Sequence, residues 1–425
     1  MSEIVINKSN YEIVVIGMGY VGLTYSLHLN TFGYSVLGIE TNEKTKNLIN
    51  NRVLPFYEEG IEGRLNNFVK QGLLLLESPE DFSINKSVTP KIYIVTVGTP
   101  VDSYKVNKSS LNKVFDFLNA NLNDGDAIAL RSTVPIGLTR SYCESLDKKI
   151  TYCFAPERTI EGKATFELGT LPQIFGSNDA TSKVFFKDFF NLVSSEVFEV
   201  SKTESAELVK LTSNVYRDVI FGFSNEISLI SHKNNINSKE VIDACNYKYP
   251  RCNIYSSGPV AGPCLSKDAY ILSESIDETY TNSMILSSRK LNENYILDIL
   301  RELIKEVKTA SILGLSFKGT PPTNDIRDSY ALTLIDYLKS ESIEVSSYDP
   351  LVFDEDFKLI KLKRDNTLED AFTNKDLIII QNNNEIFKRM NVNKLSTLSN
   401  KNSVILDLWS FHKNIKITNS SYIGI

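Results

Sequence analysis

One of the five cysteines stands in a segment built to expose it. Cys264 lies in Gly258-Pro259-Val260-Ala261-Gly262-Pro263-Cys264-Leu265-Ser266-Lys267-Asp268. Glycine and proline bracket the thiol, and a lysine–aspartate pair follows within one helical turn. A nearby lysine lowers a thiol's pKa, and the thiolate is the nucleophilic form. Lys210 and Asn214 are four positions apart, so both lie on one face of a helix. Their neighbours Leu208, Val209, Leu211 and Val215 are apolar. The lysine therefore either runs along an apolar surface to water or lines a pocket. Glu157, in Ala155-Pro156-Glu157-Arg158, is a carboxylate that could orient water or a substrate, or a solvated loop acid; Glu161 follows it.

A second set of residues suits a nucleotide. The apolar run Glu12-Ile13-Val14-Val15-Ile16 leads into Gly17-Met18-Gly19-Tyr20-Val21-Gly22 and then an apolar helical stretch to about Phe32. Glycines at these spacings allow a tight turn, close approach of backbone to a pyrophosphate, and close helix–strand packing. The helix N-terminus favours the phosphates. Glu40 ends a second strand 18 positions after Gly22, where an acid binds ribose hydroxyls. A carboxylate there repels a 2′-phosphate, so NAD is expected rather than NADP. Thr99, in Val97-Gly98-Thr99-Pro100, and Thr133, in Arg131-Ser132-Thr133-Val134-Pro135, follow later strands. They sit at the carboxyl end of the sheet, where ligands bind, or are ordinary loop residues. Lys318 and Arg327, in the loop from Phe317 to Ser329, suit phosphate or carboxylate capture; an ordinary polar loop is the alternative.

These residues need a scaffold, and the pattern supplies one. Strands are expected at 12–16, 34–39, 91–97, 127–130, 151–155 and 173–175, alternating with helices, which implies a parallel sheet covered on both faces. From about Ser201 to Val307 the pattern turns helical, with long runs at 205–232 and 291–307. Alternation resumes with strands at 310–315, 344–348, 377–380 and 404–408 and a helix at 330–338. The reading is an α/β chain in three parts: a Rossmann-like doubly wound domain over 1–200, a central helical dimerisation domain over 201–307, and a smaller α/β domain over 308–425. The central helix is long enough to join two domains and to offer a dimer face.

Composition limits the rest. The chain has 425 residues and a net charge of −6, which argues against a nucleic-acid surface as its main purpose. The polar stretch 1–10 lacks an apolar core and so reads as no signal peptide, and no apolar run is long enough to span a membrane. A cytoplasmic protein with reduced thiols is expected. No C-x-x-C spacing occurs and there are three histidines, so no metal site is expected.

Together these segments resemble the UDP-glucose/GDP-mannose dehydrogenase family along nearly the whole chain. The resemblance is carried by Gly17-x-Gly19-x-x-Gly22, Ser132-Thr133-Val134-Pro135-x-Gly137, Pro156-Glu157, Lys210-x-x-x-Asn214, Gly262-x-Cys264-x-x-Lys267-Asp268, and Phe317-Lys318 followed by Asp325-x-Arg327-x-Ser329. It implies two successive hydride transfers to NAD⁺ that convert a sugar C6 alcohol into a carboxylate, for surface-polysaccharide precursors. It makes Cys264 the covalent trap for the aldehyde, Asp268 part of the network that activates water, and Lys210 and Asn214 the stabilisers of the C6 oxyanion. It gives Glu157 to thioester hydrolysis and Thr133 to an active-site water. Gly17, Met18, Gly19, Tyr20, Val21, Gly22, Glu40, Thr99, Thr133, Glu161 and Arg327 fall to the cofactor. Arg251, Gly262, Phe317 and Lys318, with Glu157, Lys210 and Asn214, fall to the nucleotide sugar. The implied substrate is a UDP-N-acetylhexosamine (UDP-N-acetylmannosamine or UDP-N-acetylglucosamine) or UDP-glucose, and the implied assembly a homodimer.

The chain departs from common family patterns in three places: Pro263 directly precedes Cys264, where many relatives have Gly-Gly or Gly-His around the cysteine; Trp409 stands where relatives often carry arginine or asparagine; and Thr45, with Lys44 beside it, stands where some have arginine. Two other functions fit parts of the pattern. A two-electron β-hydroxyacid-type dehydrogenase needs neither Cys264 nor a second nucleotide domain. A non-catalytic nucleotide-sugar-binding protein would be indifferent to loss of Cys264.

Overall fold

The computed structural model describes residues 12–82, 90–275, 283–412, 417 and 420–425; the polar stretch 1–10 lies outside them. The chain divides into two units, Met1–Ser213 with Tyr270–Asp277, and Asn214–Ala269 with Glu278–Ile425.

The first unit is built on an eight-stranded sheet. Its strands are β1 (Glu12–Ile16), β2 (Val36–Ile39), β3 (Leu74–Glu77), β4 (Lys91–Val95), β7 (Ala127–Leu130), β8 (Thr151–Phe154), β9 (Gln173–Gly176) and β10 (Val197–Val200); β5 (Val101–Asp102) and β6 (Lys105–Val106) form a small hairpin. The order is β10-β9-β8-β7-β4-β1-β2-β3. In β1 the side chains alternate between two cores: Ile13 and Val15 pack on one face, Val14 and Ile16 on the other. Both faces are therefore covered, as the apolar run requires. The sheet is not wholly parallel. β9 pairs antiparallel with β8 through Phe154 and Gly176, and β10 runs with β9. The segment between β8 and β9 goes into the Glu157 loop and the short helix Ala164–Thr170, and the chain re-enters the sheet in the opposite sense. β3 and β10, which the residue pattern does not reveal, are half-exposed edge strands.

The second unit carries a six-stranded parallel sheet, β11 (Thr309–Leu313), β12 (Glu344–Tyr348), β13 (Lys363–Arg364), β14 (Leu377–Ile380), β15 (Ser403–Asp407) and β16 (Ser420–Gly424), in the order β13-β12-β11-β14-β15-β16. Ile379 and Ile378 pack on its opposite faces.

A 31-residue helix, Thr203–Lys233, runs through both units' sequence ranges and is about 46 Å long at 1.5 Å per residue. The second long helix expected at 291–307 is instead two, Met284–Asn294 and Leu297–Leu303. The break falls where Ile296 donates its N–H to the Tyr330 hydroxyl at 3.2 Å, outside the helix ladder. Among the described residues no helix is long and apolar enough to cross a membrane.

Candidate active site

In the first unit the glycine turn is shaped by what it cannot hold. A Cβ on Gly22 would lie 1.9 Å from the Gly17 carbonyl oxygen and 2.7 Å from the Thr96 hydroxyl oxygen, so the turn closes only with glycine there. Gly17 has φ +91° and donates its N–H to the Ile39 carbonyl at 2.8 Å. Gly19 caps the helix Tyr20–Thr31 with no side-chain hydrogen bond, and a Cβ on it would meet nothing within 4 Å. The start of this helix therefore carries no side-chain cap and leaves room beside Gly19, which suits a pyrophosphate.

Glu40, half-buried at the end of β2, accepts the Met18 N–H at 2.7 Å and the Asn42 N–H at 2.8 Å. The acid is held beside the turn, as binding of a ribose requires. Tyr20 donates to the buried Glu58, and the Gly162 N–H reaches both Glu58, at 2.7 Å, and the Tyr20 oxygen, at 3.0 Å. This ties the 157–165 loop to the glycine turn. Burial, the Glu58 hydrogen bond and the Glu58 and Glu161 charges push the Tyr20 phenol far up, so it stays a neutral donor. Glu161 is therefore close to this turn. Thr99 donates to the Thr133 carbonyl at 2.6 Å, which joins the two loops that follow β4 and β7. These residues fit a dinucleotide: the turn excludes side chains, the helix start is uncapped, and an acid stands at the next strand's end.

Glu157 is not a solvated loop acid. It is buried, with Oε2 accepting from Arg131 at 2.6 Å and Oε1 accepting the Arg158 and Thr159 N–H groups at 2.8 Å each. Burial alone would raise its pKa. The Arg131 charge, the Thr159 N–H and the Lys210 charge outweigh that and hold the carboxyl below its usual range. Arg131 is itself buried, bonded to Gln173 at 2.9 Å and stacked 4.1 Å from the centre of the Tyr25 ring. Lys210 does not run out to water; it is buried, and its ammonium donates to the Glu157 backbone carbonyl.

In the second unit Cys264 is exposed, immediately before the helix Leu265–Ser273. Asp268 is buried and holds two partners: Asn214 Nδ2 donates to Oδ2 at 2.6 Å, and Lys267 Nζ to Oδ1 at 2.8 Å. Burial would lower the Lys267 pKa, but the Asp268 charge and the Cys264 side chain more than offset it and raise it. Lysine therefore stays cationic beside the sulfur, which favours a thiolate. Gly262, at φ +97°, lies under the Phe317 ring, whose Cδ2 would be 2.4 Å from any Cβ, and donates to the Asp328 carbonyl at 2.9 Å. Lys318 lies 5.3 Å from the centre of the Phe317 ring. Arg327 is exposed and ion-paired with Asp325 at 2.6 Å, and Arg251 is exposed, its Nε donating to the Tyr249 hydroxyl at 2.9 Å. Trp409 donates Nε1 to the Gln381 carbonyl at 2.8 Å and covers Gly258, at whose Cβ position its ring would be 2.6 Å away.

Residue spacing did not single out Arg131, Glu58 or Asp268's tie to Asn214. Arg131 is 26 positions from its partner Glu157, and a basic loop residue gives no local sign of such a pairing. Among the described residues no cluster of ligating side chains could hold a metal.

The chain matches three models of the UDP-glucose/GDP-mannose dehydrogenase family: the NAD binding domain over residues 11–194, the central domain over 204–294 and the UDP binding domain over 311–414. It is 30% identical over 413 residues to the UDP-N-acetyl-D-mannosamine dehydrogenase of Methanococcus vannielii, covering 93% of this chain and 92% of the relative. The UDP-D-ManNAc dehydrogenase of Pyrococcus horikoshii superposes with TM-score 0.86 at 26% identity, covering 97% of this chain and 99% of the other. The UDP-N-acetyl-mannosamine dehydrogenase of Staphylococcus aureus superposes with TM-score 0.81 at 26% identity, covering 97% and 98%.

Proposed function

The chain belongs to the UDP-glucose/GDP-mannose dehydrogenase family and is an NAD-dependent nucleotide-sugar oxidoreductase, and we propose that it oxidises C6 of UDP-N-acetyl-D-mannosamine to the carboxylate. The observation that carries this is the exposed Cys264 beside a cationic Lys267, with Asp268 holding both Lys267 and Asn214. The choice of sugar rests on the relatives of similar length, which carry that substrate in their names.

Bound NAD⁺, held by the Gly17–Gly22 turn and Glu40, supplies the two-electron acceptance in each of two oxidations. The protein's residues do the rest. The Lys210 ammonium, fixed on the Glu157 carbonyl, stabilises negative charge on the C6 oxygen, and buried charge does this better than solvated charge. Cys264 Sγ adds to the aldehyde carbon, and the thiohemiacetal keeps a C–H bond that can be oxidised. Water then cleaves the thioester, releasing the carboxylate and returning the thiol. In sum, one primary alcohol and one water become one carboxylate, two NAD⁺ become two NADH, and three protons leave. Instead of the thioester-hydrolysis role that the resemblance implies, we assign Glu157 to anchoring: its carboxylate is already taken by Arg131 and the Arg158 and Thr159 N–H groups, and its backbone carbonyl holds Lys210. Thr133 and Asn214 order water and substrate, while Arg251, Phe317, Lys318 and Arg327 bind the nucleotide portions.

The test is NADH release across UDP-N-acetylmannosamine, UDP-N-acetylglucosamine, UDP-glucose and GDP-mannose. UDP-N-acetylmannosamine should turn over fastest; turnover of another sugar alone overturns the substrate assignment. Cys264→Ala should still bind the UDP-sugar and form no acid. A reduced thiol and a dependence on NAD and UDP-sugars both favour the cytoplasm.

We also propose a homodimer through the long helix. Tyr216, Phe223 and Ile230 recur at seven-residue intervals and are 60%, 51% and 54% exposed, a solvent-facing apolar stripe that a second copy would bury symmetrically. Phe223→Asp should halve the mass seen by light scattering; an unchanged mass counts against this face.

A further inference from the structure

Arg289, in the helix Met284–Asn294, is 1% exposed, an expensive place for a charge unless partners repay its desolvation. Its NH1 donates to Asp218 and to the Leu265 carbonyl at 2.8 Å each, and its NH2 to the Val260 carbonyl at 3.2 Å. Those two carbonyls bracket Ala261-Gly262-Pro263-Cys264. The surrounding polar groups serve the same segment. Asn292 donates to both the backbone and the carboxylate oxygen of Asp218, at 2.9 and 2.8 Å, and accepts from Asn225 at 2.9 Å. Asn225 in turn pairs with Gly258 in both directions, at 3.0 and 2.9 Å. If these helices needed only to pack, apolar side chains would serve as well as a buried ion pair. What an apolar side chain cannot do is hold two loop carbonyls at fixed separation; a planar guanidinium can.

We infer that Arg289 is the positioning residue of the nucleophile: gripping the Val260 and Leu265 carbonyls, it holds the intervening turn so that an exposed Cys264 keeps one orientation at the start of its helix. The inference rests on the reading of Cys264 as the aldehyde trap. It also gives Pro263 a role, since a residue with fixed φ stiffens a loop already held at both ends.

The test is Arg289→Lys, which keeps the charge and can satisfy Asp218 but reaches only one carbonyl at a time. Cys264 alkylation by iodoacetamide, read by peptide mass spectrometry so that Cys245 and Cys252 serve as internal controls, should slow by about tenfold. In turnover, kcat should fall by about 10²-fold, as misplacement of a reacting group by an ångström can cost, with KM for the UDP-sugar little changed. Unchanged Cys264 alkylation and kcat in a folded variant overturn the inference. Should Arg289→Lys not fold, Asp218→Asn keeps the side-chain shape and leaves Glu293, 3.4 Å from Arg289 Nε, to balance the charge. It should slow alkylation in the same direction by a smaller factor, and no change overturns the inference. Alkylation needs no substrate, so it judges the clamp even if the wild-type protein released one NADH per sugar, a result that would sink the aldehyde-trap reading separately.

Discussion

The two sheets share one parallel order over six strands, β3-β2-β1-β4-β7-β8 in the first and β13-β12-β11-β14-β15-β16 in the second, yet they differ in what their loops offer a ligand. Gly17, after β1, donates to Ile39 at the end of β2 at 2.8 Å; Gly314, after β11, donates to Tyr348 at the end of β12 at 2.8 Å. Thr96 donates to Ile16 and Gln381 to Leu313, each at 2.9 Å. Both glycines have positive φ, 91° and 95°. The acids that follow part company. Glu40 takes two backbone donors and stays half-buried at the turn's edge. Asp349, 1% exposed, is consumed by the fold: it accepts Leu315 N–H, Ser316 N–H and the Ser316 hydroxyl at 2.9, 3.0 and 2.9 Å, and also Leu351 and Val352. The helices differ as well. Tyr20–Thr31 starts three residues after Gly17 with an uncapped N-terminus, whereas Tyr330–Ser340 is capped by the Ser329 side chain. The first unit thus keeps an acid and a helix start for a ligand. The second closes both, and we propose that Lys318 of the intervening loop meets phosphate there instead. On that proposal, one strand frame would read two nucleotides by opposite means.

The largest effects should come from the glycines that admit no side chain. Gly22→Ala should lower kcat/KM for NAD by about 10³-fold, roughly 4 kcal/mol, with KM for the UDP-sugar unchanged. Gly319→Ala, whose Cβ would lie 2.0 Å from the Asn384 nitrogen, should do the reverse; steady-state kinetics in both substrates show whether the ligands divide as described. Next comes Asp349→Ala, which strands buried donors and should cost about 3 kcal/mol of stability, seen as a lower Tm or an unfolded product. Glu40→Ala has the smallest effect on the fold, within about 0.5–1 kcal/mol, but should raise KM for NAD about tenfold and admit NADP. If Asp349→Ala melted like wild type while Glu40→Ala unfolded, the contrast between the two acids would be inverted.

Local patterns made much of this legible. β7, β12 and β14 fall at the residues expected from their apolar runs, and the Gly17–Gly22 turn with Glu40 stands where the spacing puts it. Cys264 is exposed, as its glycine–proline setting suggests. What stayed hidden depends on partners far along the chain. Arg289 sits in Ser-Ser-Arg-Lys, which reads as a solvated helix face, yet its ion-pair partner is 71 positions away. Local sequence leaves Glu157 open between a functional acid and a solvated loop acid, because nothing near it announces Arg131, 26 positions away. The reversal of β9 is equally non-local: a four-residue apolar run looks the same in either direction.

The central claim is that Cys264 carries a sugar aldehyde through a second oxidation. It is tested most directly by counting NADH formed per UDP-N-acetylmannosamine consumed by the wild-type enzyme, alongside identification of the sugar product. Two NADH and a uronic acid are predicted; one NADH with an aldehyde or ketone as the final product would contradict it.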